Sequence, residues 1–248
     1  MPKNAKAFIA LVIASGTAVL LLAVGSWSSA SLRQFTIYLG LAALASTLKV
    51  RVPGIEGTMS PNFIFLLLGM ATCSFSEVAA ISLTAAVVQT LWASKKRPRL
   101  VQAAFNAAAL ILSASAAYQF SHLAAAGNGT QSTIAGIILA GSVYFPLNSA
   151  LVSMVIGLVD GQPLRKVGRR CYEGVFPYFM GGILFAGLVS GAYTRSMMWK
   201  GALATVPAVL LGYLYFSYRM AHATPAPALA NSAKHVTVEE DYPVEVNS

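Results

Sequence analysis

The sequence predicts an all-α protein, a polytopic transmembrane bundle of about eight helices. Hydrophobic residues make up 56% of the 248 residues and charged residues only 10%, whereas soluble domains usually carry about 25% charged residues. Apolar runs of about 20 residues, the length at which a helix crosses about 30 Å of hydrocarbon, recur along the chain. Basic residues lie mostly in every second segment between these runs, so that nearly all of them fall on one side of the membrane. Together these observations exclude a single soluble core.

Eight apolar runs are predicted to cross the membrane, so both termini lie on one side. They are Ala7–Gly25, Leu32–Leu48, Pro61–Phe75, Glu77–Ala93, Val101–Ala124, Thr133–Leu158, Val175–Tyr193 and Gly201–Tyr218. The third run is short, so a tilted helix and a re-entrant helix hidden by its neighbours are both open. A re-entrant helix would place the N-terminus outside, although the basic residues Lys3 and Lys6 favour the cytoplasmic side. Eight crossings are therefore favoured.

With eight crossings, all but three of the 17 Lys and Arg residues fall on one side of the membrane. The exceptions are Arg33, Arg195 and Lys200. Basic loops resist translocation, so we expect a multi-pass plasma membrane protein with both termini cytoplasmic. Two topogenic clusters contain Lys95, Lys96, Arg97 and Arg99, and Arg165, Lys166, Arg169 and Arg170. Their expected partners are lipid headgroups of the bilayer rather than nucleic acid, because no aromatic residues are interleaved with them.

The two ends of the chain are interpreted separately. Lys3 and Lys6, the apolar run after them and the small residues 26–31 also fit a secretory signal peptide. The run from Phe8 to Val24 is long for such a peptide, which favours a retained span. Residues 1–220 are assigned to the transmembrane domain. Residues 221–248 alternate Pro with Ala and then become acidic, which predicts a disordered cytoplasmic tail.

Polar residues inside the apolar runs are the first candidates for ligand binding. Asn106 and Asn148 each follow an aromatic residue and precede small residues. An unpaired polar group is costly in hydrocarbon, so each forms either an interhelical hydrogen bond or a ligand contact. Pro146 removes a backbone donor and is predicted to kink its helix beside Tyr144 and Asn148. Such a kink is a candidate pocket wall.

Two predicted helix starts supply the remaining candidates. Ser60 is predicted to cap a helix that has Pro61 in its first position, followed by Asn62. Glu77 follows Ser76 at another start, where its charge favours the helix dipole. A surface turn and a structural cap are the simpler interpretations. Anion binding at the first start and cation binding at Glu77 are the functional ones.

The sequence supports no enzyme class and no cofactor. It contains no zinc-protease motif, nucleophile elbow, P-loop or pair of intramembrane acids. Cys73 and Cys171 lie far apart and form neither a disulfide framework nor a metal box. We therefore expect a protein that is not an enzyme and holds no metal.

The order of several motifs resembles a known family. They are Ser60-Pro61-Asn62-Phe63-Ile64-Phe65, Ser76-Glu77-Val78-Ala79, Phe105-Asn106-Ala107-Ala108, Tyr144-Phe145-Pro146-Leu147-Asn148-Ser149 and Gly161-Gln162-Pro163-Leu164. Over residues 32–195 the chain resembles the multi-helix N-terminal membrane module of bacterial GGDEF and HD-type signalling proteins. The resemblance implies a sensor role with an unknown ligand. The segment after Arg219 is too short for an output domain, so action through a protein partner or a homo-oligomer is expected.

A small-molecule transporter, or a substrate-binding membrane subunit, is the alternative function. A bundle rich in Gly and Ala with kinked helices suits it. Against it stands the scarcity of acids, because only Glu77 lies near membrane depth and ion coupling normally requires buried carboxylates. The sequence therefore favours a non-catalytic sensor-like or scaffold module.

Overall fold

The computed structural model describes residues 1–29, 31–51, 58–92, 98–124 and 130–222. Its helices are α1 (Lys3–Gly25), α2 (Leu32–Thr47), α3 (Asn62–Thr72), α4 (Phe75–Leu91), α5 (Leu100–Ala124), α6 (Thr130–Asp160), α7 (Leu164–Ala192), α8 (Met198–Ala204) and α9 (Val206–His222). Two short strands, β1 (Val50–Arg51) and β2 (Thr58–Met59), pair antiparallel between α2 and α3. The all-α prediction is confirmed. The predicted tail from residue 223 onward lies outside the described residues.

Within the described residues, five helical segments are long and apolar enough to cross a membrane. They are Lys3–Gly25, Leu100–Leu123, Thr130–Asp160, Val175–Ala192 and Met198–Arg219. The chain is therefore a membrane protein. Helices α2, α3 and α4 have 16, 11 and 17 residues, and at 1.5 Å per residue α3 is only about 16 Å long.

Hydrogen bonds at one end of the bundle show that the first four helices alternate in direction. After α1, the Ser26 carbonyl accepts from Ser76 Oγ at 3.2 Å, at the start of α4. Before α2, the Ser28 carbonyl accepts from the Ser74 hydroxyl. At the start of α2, Gln34 Nε2 donates to the Arg195 carbonyl after α7, at 3.4 Å. We call this end, which carries Arg33, Arg195 and Lys200, the far end.

The opposite end carries the remaining described basic residues, and we call it the basic end. They are Lys3, Lys6, Lys49, Arg51, Arg99, Arg165, Lys166, Arg169, Arg170 and Arg219. Here Asn62 at the start of α3 donates to Ser46 at the end of α2. The Lys49 ammonium donates to the Trp92 carbonyl after α4, and burial lowers the pKa of this amine.

The third predicted span, which contains α3, lies alongside α2 and runs in the opposite direction. It begins beside Ser46 and ends beside the loop that precedes α2. Ten of the 11 residues of α3 are buried, because helices from both halves of the chain surround it. Its two ends lie at opposite ends of the bundle, so it is not a re-entrant hairpin. The helix satisfies its own backbone and needs no lipid contact.

One predicted boundary is wrong. The predicted loop Val159–Gly174 contains the first three turns of α7, which begins at Leu164. A loop was predicted there because the segment is basic, yet a helix outside the hydrocarbon need not be apolar. The last predicted span, Gly201–Tyr218, lies within the apolar segment Met198–Arg219, which has a turn at Thr205 between α8 and α9. Pro207 has no N–H to donate to the preceding turn, so the helix restarts there.

The predicted helix caps also require correction. Helix α3 begins at Asn62, with Pro61 in the N-cap position, and the buried Ser60 hydroxyl has no hydrogen-bond partner among the described residues. Helix α4 is capped by Ser74 rather than Ser76. Both errors are shifts of one or two residues, which only the local backbone geometry decides.

Candidate functional site

Asn62 connects three helices at the basic end. Its side chain is only 5% exposed. Its Nδ2 donates to Ser46 Oγ on α2 at 3.0 Å and to Gln89 Oε1 on α4 at 3.2 Å. The Ser46 hydroxyl in turn donates to the Ala42 carbonyl at 2.7 Å. A buried amide paired in this way fixes helix packing.

Asn106 and Asn148 have different surroundings despite their similar sequences. Asn106 is half-buried on α5, and its Nδ2 donates to Thr90 Oγ1 on α4 at 3.4 Å. This is the interhelical bond that one of the two interpretations predicts. Asn148 is half-buried on α6, and among the described residues its side chain has no hydrogen-bond partner.

Tyr144 and Pro146 do not form one pocket wall. Pro146 lies inside α6 and is exposed on the surface of the bundle. Tyr144 is buried, as expected for residues two positions apart on a helix, which do not share a face. Tyr144 belongs to an aromatic cluster in which the Phe179 ring lies 4.3 Å from Phe63 and 4.7 Å from Phe145. This cluster joins α3, α6 and α7.

Glu77 is completely buried at the far end and acts as a structural cap. Its Oε2 accepts from the Ser74 backbone N–H at 2.8 Å, and its own N–H donates to Ser74 Oγ at 3.3 Å. This capping box satisfies two free donors at the start of α4. The Ser29 hydroxyl donates to Oε1 at 2.6 Å and ties the α1–α2 loop to the same carboxylate.

The topogenic residues that the structure describes lie on the surface. Arg99 precedes α5, and Arg165, Lys166 and Arg169 occupy the first turns of α7, all exposed at the basic end. The side chain of Arg170, and the predicted cluster residues Lys95, Lys96 and Arg97, lie outside the described residues.

A cavity of about 390 Å³ lies at the far end and is a candidate ligand site. It lies between α3, α5, α6 and α7. The buried part of its lining is formed by Met70, Ser121, Gly136, Ile137, Ala140 and Ser190. The less buried part is polar and is formed by His122, Thr130, Ser132, Thr133, Tyr193, Thr194 and Arg195. A few polar groups above an apolar base are typical of small-molecule sites.

Arg195 also borders a second, more open cleft, which it shares with Ser31, Arg33, Gln34, Thr72 and Ser196. Gln34 fixes this corner, because its Nε2 donates to the carbonyls of Arg195 and Ser196 at 3.4 and 3.3 Å. On the opposite wall of the cavity, the His122 ring lies 4.3 Å from the Tyr118 ring. The far-end loop is therefore anchored through its backbone carbonyls, and Arg195 lines both the cavity and the cleft.

None of the six predicted ligand-binding residues, all of which the structure describes, lines this cavity. The cavity could not be found from polar groups inside single apolar runs, because it is assembled from four helices at the bundle surface. One signal was present in the sequence. Arg195 is one of only three basic residues on the side where basic residues are rare.

A comparison with known families agrees with an apolar helical bundle in the membrane. The MASE9 family model matches residues 7–186, which is α1 to most of α7. This chain belongs to the MASE9 family. MASE domains are membrane-associated sensor modules, so the general part of the resemblance seen in the sequence is confirmed. No curated protein and no solved structure matches the chain.

Four of the cavity residues, Ser190, Tyr193, Thr194 and Arg195, follow the segment that the MASE9 family model matches. The rest of the lining, on α3, α5 and α6, lies inside that segment. The cavity therefore combines the MASE9 core with the turn that leads into α8.

Proposed function

We propose that this MASE9 protein is a non-catalytic sensor in the plasma membrane that binds its ligand in the far-end cavity and acts through a partner at the basic end. The continuity of α7 carries the proposal. Ser190 lines the cavity, and Arg165 is exposed in the first turn of the same helix. At 1.5 Å per residue these positions are about 37 Å apart along one helix.

The distribution of basic residues supports an orientation with the basic end in the cytoplasm. Three basic residues lie at the far end, whereas at least three times as many lie at the basic end. By the positive-inside rule the basic end faces the cytoplasm, with both termini, and the cavity faces the outside. A signal that arrives outside then reaches the cytoplasm through helices that line the cavity.

Close packing between α6 and α7 provides a route by which a movement at the cavity reaches the basic end. Ile183 lies so close to Gly141 that a Cβ atom at position 141 would overlap with it. At the cavity, Ile134 lies 3.1 Å from the place a Cβ atom would take at Gly191. A closely packed interface has discrete arrangements rather than a continuous range, so a ligand that separates α6 from α7 shifts the whole pair.

The lining chemistry favours a sensor over an ion-coupled transporter. Among the described residues, the lining of the cavity contains no carboxylate, which leaves coupling to protons or cations without a relay. The acid nearest to this end, Glu77, is buried and already accepts two hydrogen bonds. A partner protein or a second copy of the chain at the basic end then converts helix movement into output.

A distance measurement between spin labels tests the proposal. Arg99→Cys, immediately before α5, and Arg165→Cys on α7 place labels at the basic end of two cavity-lining helices, in a background where Cys73 and Cys171 are replaced by alanine. Ala71→Leu, at a half-buried position of α3 in the cavity lining, partly fills the cavity and stands in for a bound ligand. We expect the Arg99–Arg165 distance distribution to shift in lipid nanodiscs.

The control pair is Lys3→Cys on α1 with Arg219→Cys on α9, because neither helix lines the cavity. Its distance should not change. An Arg99–Arg165 distribution that is the same with and without the Ala71→Leu substitution would refute coupling between the cavity and the basic end. Equal shifts of both pairs would indicate a general loss of packing instead.

A further inference from the structure

The far end holds three basic residues, and only one of them faces the cavity. The Arg33 guanidinium lies 4.8 Å above the Trp199 ring and the Lys200 ammonium lies 5.6 Å from the same ring. Both are therefore engaged in cation–π contacts. The Arg195 guanidinium has no carboxylate partner among the described residues and borders both openings.

The other polar groups around the cavity are hydroxyls and an imidazole ring, which can donate hydrogen bonds to an anion. The hydroxyls of Thr133, Tyr193 and Thr194 line it together with the His122 ring. Among the described residues, no carboxylate lines this cavity or the cleft beside it. Such a site favours a negatively charged group, because a guanidinium binds a carboxylate or phosphate in a bidentate manner.

The buried half of the cavity has the opposite character. Met70, Ile137 and Ala140 close its base and are almost completely buried, and the half-buried Ala71 presents hydrocarbon to the cavity beside them. A cavity of about 390 Å³ lies at the small end of the range for ligand sites, about 300–1,000 Å³. It is larger than an inorganic anion requires, so the ligand should also have an apolar body.

We infer that the cavity binds an organic anion whose carboxylate or phosphate group contacts Arg195 and whose apolar body lies against Ala71 at the apolar base of the cavity. The inference rests on the proposed function, because it names the ligand class for the same cavity. An oxyanion of this kind is supplied either by a soluble metabolite or by the headgroup of a phospholipid. The chemistry at Arg195 is the same in both cases.

Protection of a cysteine in the cavity tests the inference. Thr194→Cys places a thiol at the opening, in a chain whose two native cysteines are replaced by alanine. The protein is reconstituted in zwitterionic nanodiscs and treated with a thiol reagent. Benzoate and phenyl phosphate are the anionic probes, and benzamide is a neutral probe of matching shape. We expect both anions, but not benzamide, to slow labelling.

Two variants of equal charge locate the effect. Arg195→Gln should weaken protection by about ten- to a hundredfold, the worth of a charge-assisted hydrogen bond. Its backbone carbonyl still accepts from Gln34, so the loop should keep its position. Lys200→Gln removes the same charge at the same end without touching the cavity, and should change protection by less than about twofold at physiological salt. Gly25→Cys, at the far end and away from the cavity, should be labelled equally with and without anions.

Nanodiscs that contain phosphatidylglycerol distinguish the two sources of the anion. Protection by that lipid alone, lost in Arg195→Gln, identifies a headgroup, whereas protection by benzoate or phenyl phosphate in zwitterionic discs identifies a soluble ligand. The inference is overturned if neither source protects, if benzamide protects equally, or if Arg195→Gln leaves protection intact. Anion binding without any shift at the basic end would overturn the proposed function alone.

Discussion

The Ser29 hydroxyl lies 2.6 Å from Glu77 Oε1, and this bond fastens the loop between α1 and α2 to the first turn of α4. The Glu77 carboxylate is completely buried and also accepts from the Ser74 backbone. An anion without solvent contact is stable only when its oxygens are paired. Here a helix cap and a loop contact supply the pairing, and both lie at the end where the cavity opens.

Glu77→Ala should destabilise the protein by about 1–3 kcal/mol, because it leaves the Ser74 N–H and the Ser29 hydroxyl without an acceptor. Ser29→Ala should cost less, since the carboxylate keeps its cap bond. Ser28→Ala is the matched control, because only the backbone carbonyl of Ser28 takes part. Thermal melts in detergent measure all three. A melting temperature for Glu77→Ala equal to that of Ser28→Ala would contradict the structural role.

A second prediction concerns the centre of the bundle, where the Phe63 ring covers Gly182. A Cβ atom at position 182 would overlap with that ring. Gly182→Ala should therefore destabilise the fold by about 1–3 kcal/mol through overpacking. Gly181→Ala meets nothing within 4 Å, so it should be neutral or stabilising, because alanine favours helix.

The double variant Gly182→Ala with Phe63→Leu separates steric overlap from other causes. A smaller side chain at position 63 relieves the overlap, so the two changes together should cost less than the sum of their single effects. Unfolding of purified protein by denaturing detergent gives the free energies. Strict additivity would show that the ring and the glycine are not in contact.

Helices were predictable from this sequence because each apolar run carries its own evidence. The run 101–124 is long and apolar whatever its neighbours are, and α5 occupies it almost residue for residue. The alternation of basic residues likewise predicted which helix ends lie together, as the contact of Asn62 with Ser46 shows. Lipid exposure imposes these patterns locally.

Features that depend on packing were not predictable. The cavity requires Met70, Ser121, Ile137 and Ser190 to converge from four helices, and no local pattern marks such a meeting. Capping is similar, since Ser74 rather than Ser76 caps α4 only because the Ser74 hydroxyl reaches the Glu77 N–H. For Asn106 the sequence predicted an interhelical hydrogen bond as one of two interpretations, and the structure identifies the partner as Thr90.

The hydrogen bonds of Asn62 with Ser46 and Gln89 at the basic end give a third prediction. Asn62→Leu should destabilise the protein by about 1–3 kcal/mol, because it removes the bonds to Ser46 and Gln89 within a buried region. Asn106→Leu should cost about 0.6 kcal/mol, the typical worth of one interhelical bond in a membrane. Melting temperatures in lipid nanodiscs test both values.

Asn148→Leu is the control for this series, because among the described residues the Asn148 side chain has no hydrogen-bond partner. Its stability should change by less than about 0.5 kcal/mol. If Asn148 instead contacts a ligand, the response to that ligand should fall while the amount of folded protein stays constant. A loss of folded protein equal to that in Asn62→Leu would refute this interpretation.

The last prediction concerns sidedness. A thiol reagent that cannot cross the membrane should label Thr194→Cys and Gly25→Cys in intact cells, because both positions are exposed at the far end. Arg165→Cys and Arg99→Cys, exposed at the basic end, should react only after the membrane is permeabilised. The physical reason is that translocating the basic end would carry most of the chain's positive charge across the bilayer. The reverse pattern would place the cavity in the cytoplasm, so the proposed sensor would read an internal ligand. Labelling at both ends in intact cells would mean that the chain inserts in two orientations, and a fixed direction of signalling would then be untenable.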